Sequence, residues 1–179
     1  IGQTYKAFAL ALELKYRAND SWNFFGKFGK VPGQANSPST TPEKWTLVML
    51  HPNYRLGLLM FNYNFSNFAG NNNPNTATTP GSLKSIYDNS ITNARYGMVG
   101  ATLSADKWRF TGSFITATAD RTAESGQYFF NSLTRKYSSV TAVKNQGTSI
   151  GSEIDLGVAL NWDEFTTFAL DSGLLMQGD

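Results

Sequence analysis

Glu153 and Asp155 stand two residues apart in Ser-Glu-Ile-Asp-Leu. In an extended strand that spacing puts both carboxylates on one face, close enough to act as a pair. Two such acids can divide general-acid and general-base work, as in glycoside hydrolysis. They can equally line a wall, each matched by an arginine or lysine on a neighbouring strand, so that the pairs fix register and set the charge of a passage. The wall is the simpler reading, because Lys15, Arg17, Arg95 and Arg109 stand in similar alternating segments, as do Glu13 and Asp171. These eight residues (Glu13, Lys15, Arg17, Arg95, Arg109, Glu153, Asp155 and Asp171) are the pore-lining candidates. His51 is the single histidine and sits in His-Pro-Asn, a turn sequence. Any Ser-His or histidine-metal chemistry would have to pass through it, and turn polarity explains it more simply. Gly26-Lys-Phe-Gly-Lys lacks the spacing of a phosphate loop and the helix that would follow one. No catalytic residue, metal or cofactor is assigned, and the chain is expected not to be an enzyme.

The elements that must position these residues follow from periodicity. From Ile150 to Trp162, the residues Ile150, Ser152, Ile154, Leu156, Val158, Leu160 and Trp162 share one side, and Gly151, Glu153, Asp155, Gly157, Ala159 and Asn161 share the other. A period of two predicts a strand, and the same pattern resumes after Asp163-Glu164 with Phe168, Leu170, Leu174 and Met176 opposite Thr167, Ala169, Asp171 and Gly173. Lys6 to Arg17 repeats it, with Phe8, Leu10, Leu12, Leu14 and Tyr16 opposite Ala7, Ala9, Ala11, Glu13, Lys15 and Arg17. Further strands are predicted at 22–28, 45–50, 54–67, 93–103 and 107–118, about eight in all, with a bulge near Leu58 where the apolar parity switches. The longest of these exceed the usual ~5 to 6 residues of soluble strands and suit the ~9 to 11 residues of a membrane-spanning barrel strand.

Composition agrees. Charged residues make up 16% of the 179 and aromatics 14%, against about 25% charged residues in ordinary soluble domains. No run of about 18 apolar residues exists, which excludes a helical span but not a barrel whose strands are half polar. A net charge of +2, with basic residues scattered along the chain, is too small to suggest a nucleic-acid surface, and no nucleic-acid partner is expected. Absent cysteine excludes disulfides and thiolate metal sites. The chain begins Ile-Gly-Gln-Thr and stops shortly after a strand, so a piece of a longer barrel is expected.

Connection lengths alternate as outer-membrane barrels require, short periplasmic turns with long outer loops. Short turns fall at 18–21, 51–53, 104–106 and 163–164; long polar loops fall at 30–43, 68–91 and 120–147. Tyr16, Trp22, Trp108 and Trp162 lie beside short turns, where an aromatic girdle would meet the periplasmic interface. Trp45 falls toward the other rim.

Gly151-Ser-Glu-Ile-Asp-Leu-Gly-Val-Ala-Leu-Asn-Trp, the Thr166-Thr-Phe-Ala-Leu-Asp-Ser-Gly strand ending in Gly178-Asp179, and His51-Pro-Asn-Tyr-Arg-Leu-Gly-Leu-Leu-Met-Phe together resemble the C-terminal part of alginate-export-type outer-membrane barrels. The resemblance covers about half the chain and implies a barrel of more than eight strands. It also implies an arginine-rich lumen for an anionic polymer, from which the mixed acidic and basic set here departs. The expectation is thus an all-β fold, an antiparallel up-and-down transmembrane barrel occupying 1–179, located in the bacterial outer membrane. Its partners would be the lipid bilayer, lipopolysaccharide, small solutes or a polysaccharide, and other envelope proteins. Its function would be a porin-like channel for passive passage of polar or charged solutes or for polysaccharide export. The alternatives are a non-conducting scaffold or adhesin displaying its loops, and a soluble lipocalin-like or sandwich domain.

Overall fold

The computed structural model describes residues 4–51, 53–61, 91–131, 136–137 and 140–178. Among them there is no helix, and the chain is all-β. Six long strands form one sheet: β2 (Leu10–Arg17), β3 (Trp22–Val31), β5 (Ala94–Ala105), β6 (Trp108–Ala119), β9 (Ser149–Asn161) and β10 (Thr167–Gln177). The order β10-β9-β6-β5-β3-β2 is a meander in which every neighbour is antiparallel. Four two-residue strands lie outside it. β1 (Thr4–Tyr5) runs parallel with β4 (Lys44–Trp45), and β7 (Phe130–Asn131) pairs with β8 (Lys136–Tyr137).

The strands form where the alternation predicts them, and the register carries one parity across the sheet. Leu14 faces Gly26, Gly26 faces Val99, Val99 faces Phe114, Phe114 faces Ile154, and Ile154 faces Leu174. Even positions of β2, β3, β6, β9 and β10 therefore share a face with odd positions of β5. On this face large apolar side chains stand exposed: Leu10, Leu12, Phe24, Val99, Phe110, Phe114, Leu156, Leu170 and Leu174 among them. The opposite face carries the core. Val31, Ala94, Tyr96, Met98, Ile115 and Ala117 are buried there beneath Leu56, Met60 and Ile91 from the connection between β3 and β5.

That connection departs from expectation. Strands at 45–50 and 54–67 were to stand between β3 and β5, but β3 pairs directly with β5 over ten consecutive residues, Trp22↔Leu103 to Val31↔Ala94. No ladder position is left for another strand. Residues 46–50 instead follow the loop-side ends of β3 and β5, with the Val48 amide donating to Pro32 O (3.1 Å), the Leu50 amide to Ile91 O (3.0 Å), and Thr92 Oγ1 to Val48 O (2.6 Å). Residues 53–61 then lie across the covered face, with Leu56 and Met60 buried against the sheet. Residues 62–67 of the expected strand and most of the expected 68–91 loop lie outside the described residues.

Three short connections, 18–21, 106–107 and 162–166, join strands at one end of the sheet, and the strand ends that the long connections 32–93 and 120–148 link lie at the other. Side chains close the short turns. Asn19 Oδ1 accepts the Ser21 and Trp22 amides at 2.9 and 2.8 Å, and Asp163 Oδ1 accepts those of Phe165 and Thr166 at 2.9 and 2.8 Å. This Asp163 turn makes the last connection longer than the expected Asp163-Glu164. The expected bulge near Leu58 lies instead in β9: Ala117 faces Gly151 and Thr118 faces Ser149, leaving Ile150 unpaired. Gly151, at φ 137°, takes a conformation that a side chain would strain. Ile150 consequently packs on the covered core instead of sharing the exposed apolar face.

Ile115 is 0% exposed and sits at the centre of that core. Ile115→Ala is expected to cost about 2–5 kcal/mol, read as a fall in the thermal unfolding midpoint of the purified protein.

Candidate functional site

The covered face is polar at its centre, and the carboxylates of β9 hold it together. Glu153 is 0% exposed. Its Oε1 accepts the Leu59 amide at 2.7 Å and its Oε2 accepts the amide of Met60, while Asp155 Oδ2 accepts the amide of Leu58 at 3.2 Å. Three consecutive backbone N–H groups of the inserted segment therefore end on two side chains of one strand. A carboxylate suits this role because it offers acceptors without a donor of its own. Hydrogen bonds to a charged group contribute about 1.5–3 kcal/mol each, enough to hold a segment that makes no ladder of its own. Gly57 allows the approach: a Cβ there would lie 2.5 Å from Ile115 Cδ1 and 2.7 Å from Glu153 Oε1.

The arrangement corrects the expected pairing of Glu153 and Asp155 with cations. Among the described residues both accept backbone amides of the inserted segment, and Asp155 also hydrogen-bonds the Glu153 carboxyl and the Ser113 side chain. Beside them, a cleft of about 250 Å³ opens between the segment and the sheet, lined by Phe25, Leu56, Leu58, Met98, Ser113 and Asp155. Asp171, on β10, borders the same cleft.

The other expected lining residues divide. Glu13, Lys15 and Arg17 lie on the covered-face parity of β2, and Arg109 on that of β6. Glu13 Oε1 meets Lys27 Nζ at 3.6 Å, the kind of cross-strand pair the wall reading called for. Arg17 turns toward Asp20 (2.6 Å) at the short-turn end. Arg95 does not line this face. Its register opposite Lys30 and Thr118 puts it on the apolar face, because β5 carries that face on its odd positions. His51 serves its turn, its Nδ1 accepting the Asn53 amide at 3.2 Å.

Lys27, Tyr54 and Tyr96 belong to the site although sequence reasoning did not select them. Lys27 Nζ lies 5.0 Å from the centre of the Tyr54 ring and donates to Arg55 O at 2.9 Å, and Tyr96 Oη donates to Tyr54 Oη at 3.0 Å. Parity alone could have found Lys27, which shares its face of β3 with Phe25 and Gly29. Nothing in the sequence marks amides 58 to 60 as donors, since every residue but proline carries one.

The long connections pack together at their own end. Gln34, 5% exposed, donates through Nε2 to Lys44 O (2.9 Å) and Tyr137 Oη (2.7 Å) and accepts the Thr46 amide at 2.8 Å. Trp45 meets Phe130 edge-on at 5.5 Å and Tyr137 at 6.2 Å. Within the 120–148 connection, the β7–β8 pair packs through Phe130 and Tyr137 on Trp45 and Gln34 of the 32–45 loop. At the short-turn end, Trp22 stacks on Phe24 (5.9 Å), Tyr16 on Phe24 (6.4 Å) and Trp108 on Phe110 (6.1 Å), all on the exposed apolar face.

Just beyond β6, Asp120 draws Lys30 Nζ (3.5 Å), Arg95 Nε (3.0 Å) and Arg121 Nε (3.9 Å), and its Oδ2 accepts the Gly33 amide at 3.4 Å. Burial alone would raise the pKa of Asp120, but the Arg95 hydrogen bond, the Gly33 amide and the Lys30 charge outweigh it and hold the carboxyl below its usual range. No protein-family model matches this chain, and comparison with curated proteins gives no match.

Two outcomes follow from these contacts. Glu153→Ala should free the inserted segment and accelerate tryptic cleavage after Arg55 by about tenfold or more, with Glu153→Gln intermediate because it keeps one acceptor oxygen; an unchanged cleavage rate would remove the anchoring role. Because the Asp120 carboxyl is depressed in the folded state, its contribution is complete above the usual Asp value of about 3.9 and is lost as pH falls through the lowered folded value. The gap in thermal midpoint between wild type and Asp120→Asn should stay constant from neutral pH down to about pH 5 and close in more acid solution.

Proposed function

We propose that this chain is part of the wall of a transmembrane β-barrel in the bacterial outer membrane, of the alginate-export type it resembles. Its role in this reading is a porin-like passage for small polar or charged solutes, or for a polysaccharide. One observation carries it: six antiparallel strands of 8 to 13 residues leave one largely apolar face exposed and cover the other, of mixed polarity, with residues 53–61. In water such a face is a liability, since soluble proteins leave only a few hundred Å² of contiguous apolar surface bare; in lipid it is the favoured surface. Stacked aromatics at the short-turn end and long packed loops at the other support the same orientation. Closing the barrel requires partners for β2 and β10, the two edges of the sheet.

Solutes would pass along the covered face, by the cleft at Asp155 and the charges of Glu13, Lys27, Arg109 and Asp171, and selectivity would follow those charges and the constriction made by residues 53–61. No covalent step is needed. The inserted segment also favours the second reading, a non-conducting scaffold or adhesin, since Leu56 and Met60 fill part of the inner face.

Conductance in planar bilayers separates them. The purified protein is expected to form channels whose reversal potential shifts toward cation selectivity in Arg17→Gln/Arg109→Gln. Channels with unchanged reversal potentials would remove these arginines from the pathway, and inserted protein without channels would favour the scaffold. Failure to float with vesicles, together with solubility free of detergent, would overturn the membrane reading.

A further inference from the structure

The apolar face does not end in the same chemistry at its two rims. At the short-turn rim it ends in stacked aromatic rings. At the long-loop rim it ends in Lys30 and Arg95, which face one another across β3 and β5, with Thr118 opposite Arg95 on β6. Arg121 joins them from the connection that leaves β6. The side chains of Lys30, Arg95 and Arg121 are 55%, 57% and 54% exposed, while that of Asp120, which all three contact, is only 4% exposed.

Three cations around one carboxylate leave two positive charges in excess. Like charges drawn so close repel one another, and the buried carboxylate offsets only part of that repulsion. Asp120 is itself tied down by the Gly33 amide, and its own amide donates to Asn93 O at 3.2 Å. Asn93 braces the same corner, its Oδ1 accepting the Arg121 amide at 2.7 Å and its Nδ2 donating to Arg121 O at 2.9 Å. The carboxylate on which the three cationic heads converge is therefore fixed, and the heads gather around it with more than half of each side chain still open to a ligand. Directly below on the same face come Phe28, then Val99, Phe114 and Ile154. From Lys30 to Trp22 along β3 is about 27 Å at the usual rise per residue, comparable with the roughly 25 Å apolar band of such barrels.

We propose that Lys30, Arg95 and Arg121 form a binding site for the phosphate of an outer-leaflet glycolipid whose acyl chains lie along the apolar face beneath. The inference rests on the membrane reading above. The ligand chemistry is a phosphomonoester on an amphiphile: the two excess charges match a phosphate dianion, arginines suit its oxygens through paired N–H groups, and only an amphiphile uses the adjoining apolar surface. The long-loop rim is the outer one where long loops are extracellular, which selects the glycolipid over phospholipids of the inner leaflet.

The test is titration of the detergent-solubilised protein with diphosphorylated lipid A, read as bound lipid by native mass spectrometry. Wild type is expected to bind it, with binding weakened by added salt. Each of Lys30→Gln, Arg95→Gln and Arg121→Gln should weaken binding by about fivefold to tenfold. The triple variant should bind no better than wild type binds the dephosphorylated lipid. Lys15→Gln/Arg17→Gln, which removes cations from the other face, should bind as wild type does. Arg121→Gln keeps the test sound if the sheet variants misfold, since Arg121 lies outside the ladder. A triple variant with wild-type affinity would overturn the site, as would full displacement of the lipid by inorganic phosphate, which would mark a simple anion site. Flotation of wild type with phosphatidylcholine vesicles separates the two levels: insertion without phosphate-dependent lipid binding defeats this inference alone, whereas no insertion defeats the membrane reading beneath it.

Discussion

A strand side chain has only two directions to point, and antiparallel pairing transmits that choice from strand to strand without loss. In this protein the ladder from β2 to β10 keeps one parity across six strands, so a single register decides the chemistry of two surfaces. A slip of one residue between β5 and β6 would bring Phe110 and Phe114 under the inserted segment and turn Arg109 and Ile115 outward. The aromatic stacks, the buried core and the cationic rim all depend on that register. It is protected at both ends, by Asn19 and Asp163 in the short turns and by Asp120 beyond β6.

The covered face owes its form to a conflict between burial and polarity. Glu153 lies at the centre of a core of Ile115, Met60 and Leu56, where an unpartnered carboxylate would cost several kcal/mol. The amides of residues 59 and 60 meet the same penalty, since their segment joins no sheet. Each resolves the other's difficulty, and the mutual solution draws 53–61 across the face. Lys27, held between Glu13, the Tyr54 ring and Arg55 O, steadies the start of the same stretch. In the proposed barrel this face would combine polar groups with a built-in obstruction, and the balance between the two would separate a conducting barrel from a scaffold.

Much of this was legible in the residues themselves. Alternation located β2, β6, β9 and β10 to within a few residues, because period-two patterning is a local property that survives any tertiary arrangement. Loop composition ordered the short and long connections, and the exposed face of Phe8 to Tyr16 was readable from its spacing alone. Residues 45–50 and 54–61 were misread because they are apolar in short runs, and hydrophobicity does not say whether a run is buried by lipid, by a neighbouring strand or by the inside of a fold. Arg95 sits in a segment with small residues on both sides, Ala94 and Gly97 among them, so its parity carried little signal.

The sequence by itself determined that this chain makes long, two-faced strands with one apolar and one polar side, since side-chain alternation is built into extended backbone. Which strands are neighbours was decided only by tertiary structure, and with it the direct β3–β5 pairing that expels the intervening segment from the sheet. So were the Glu153 and Asp155 contacts to residues 58–60 and the gathering of Lys30, Arg95 and Arg121 on Asp120. These join residues up to 97 positions apart. They depend on backbone amides and strand register, which no residue's identity encodes.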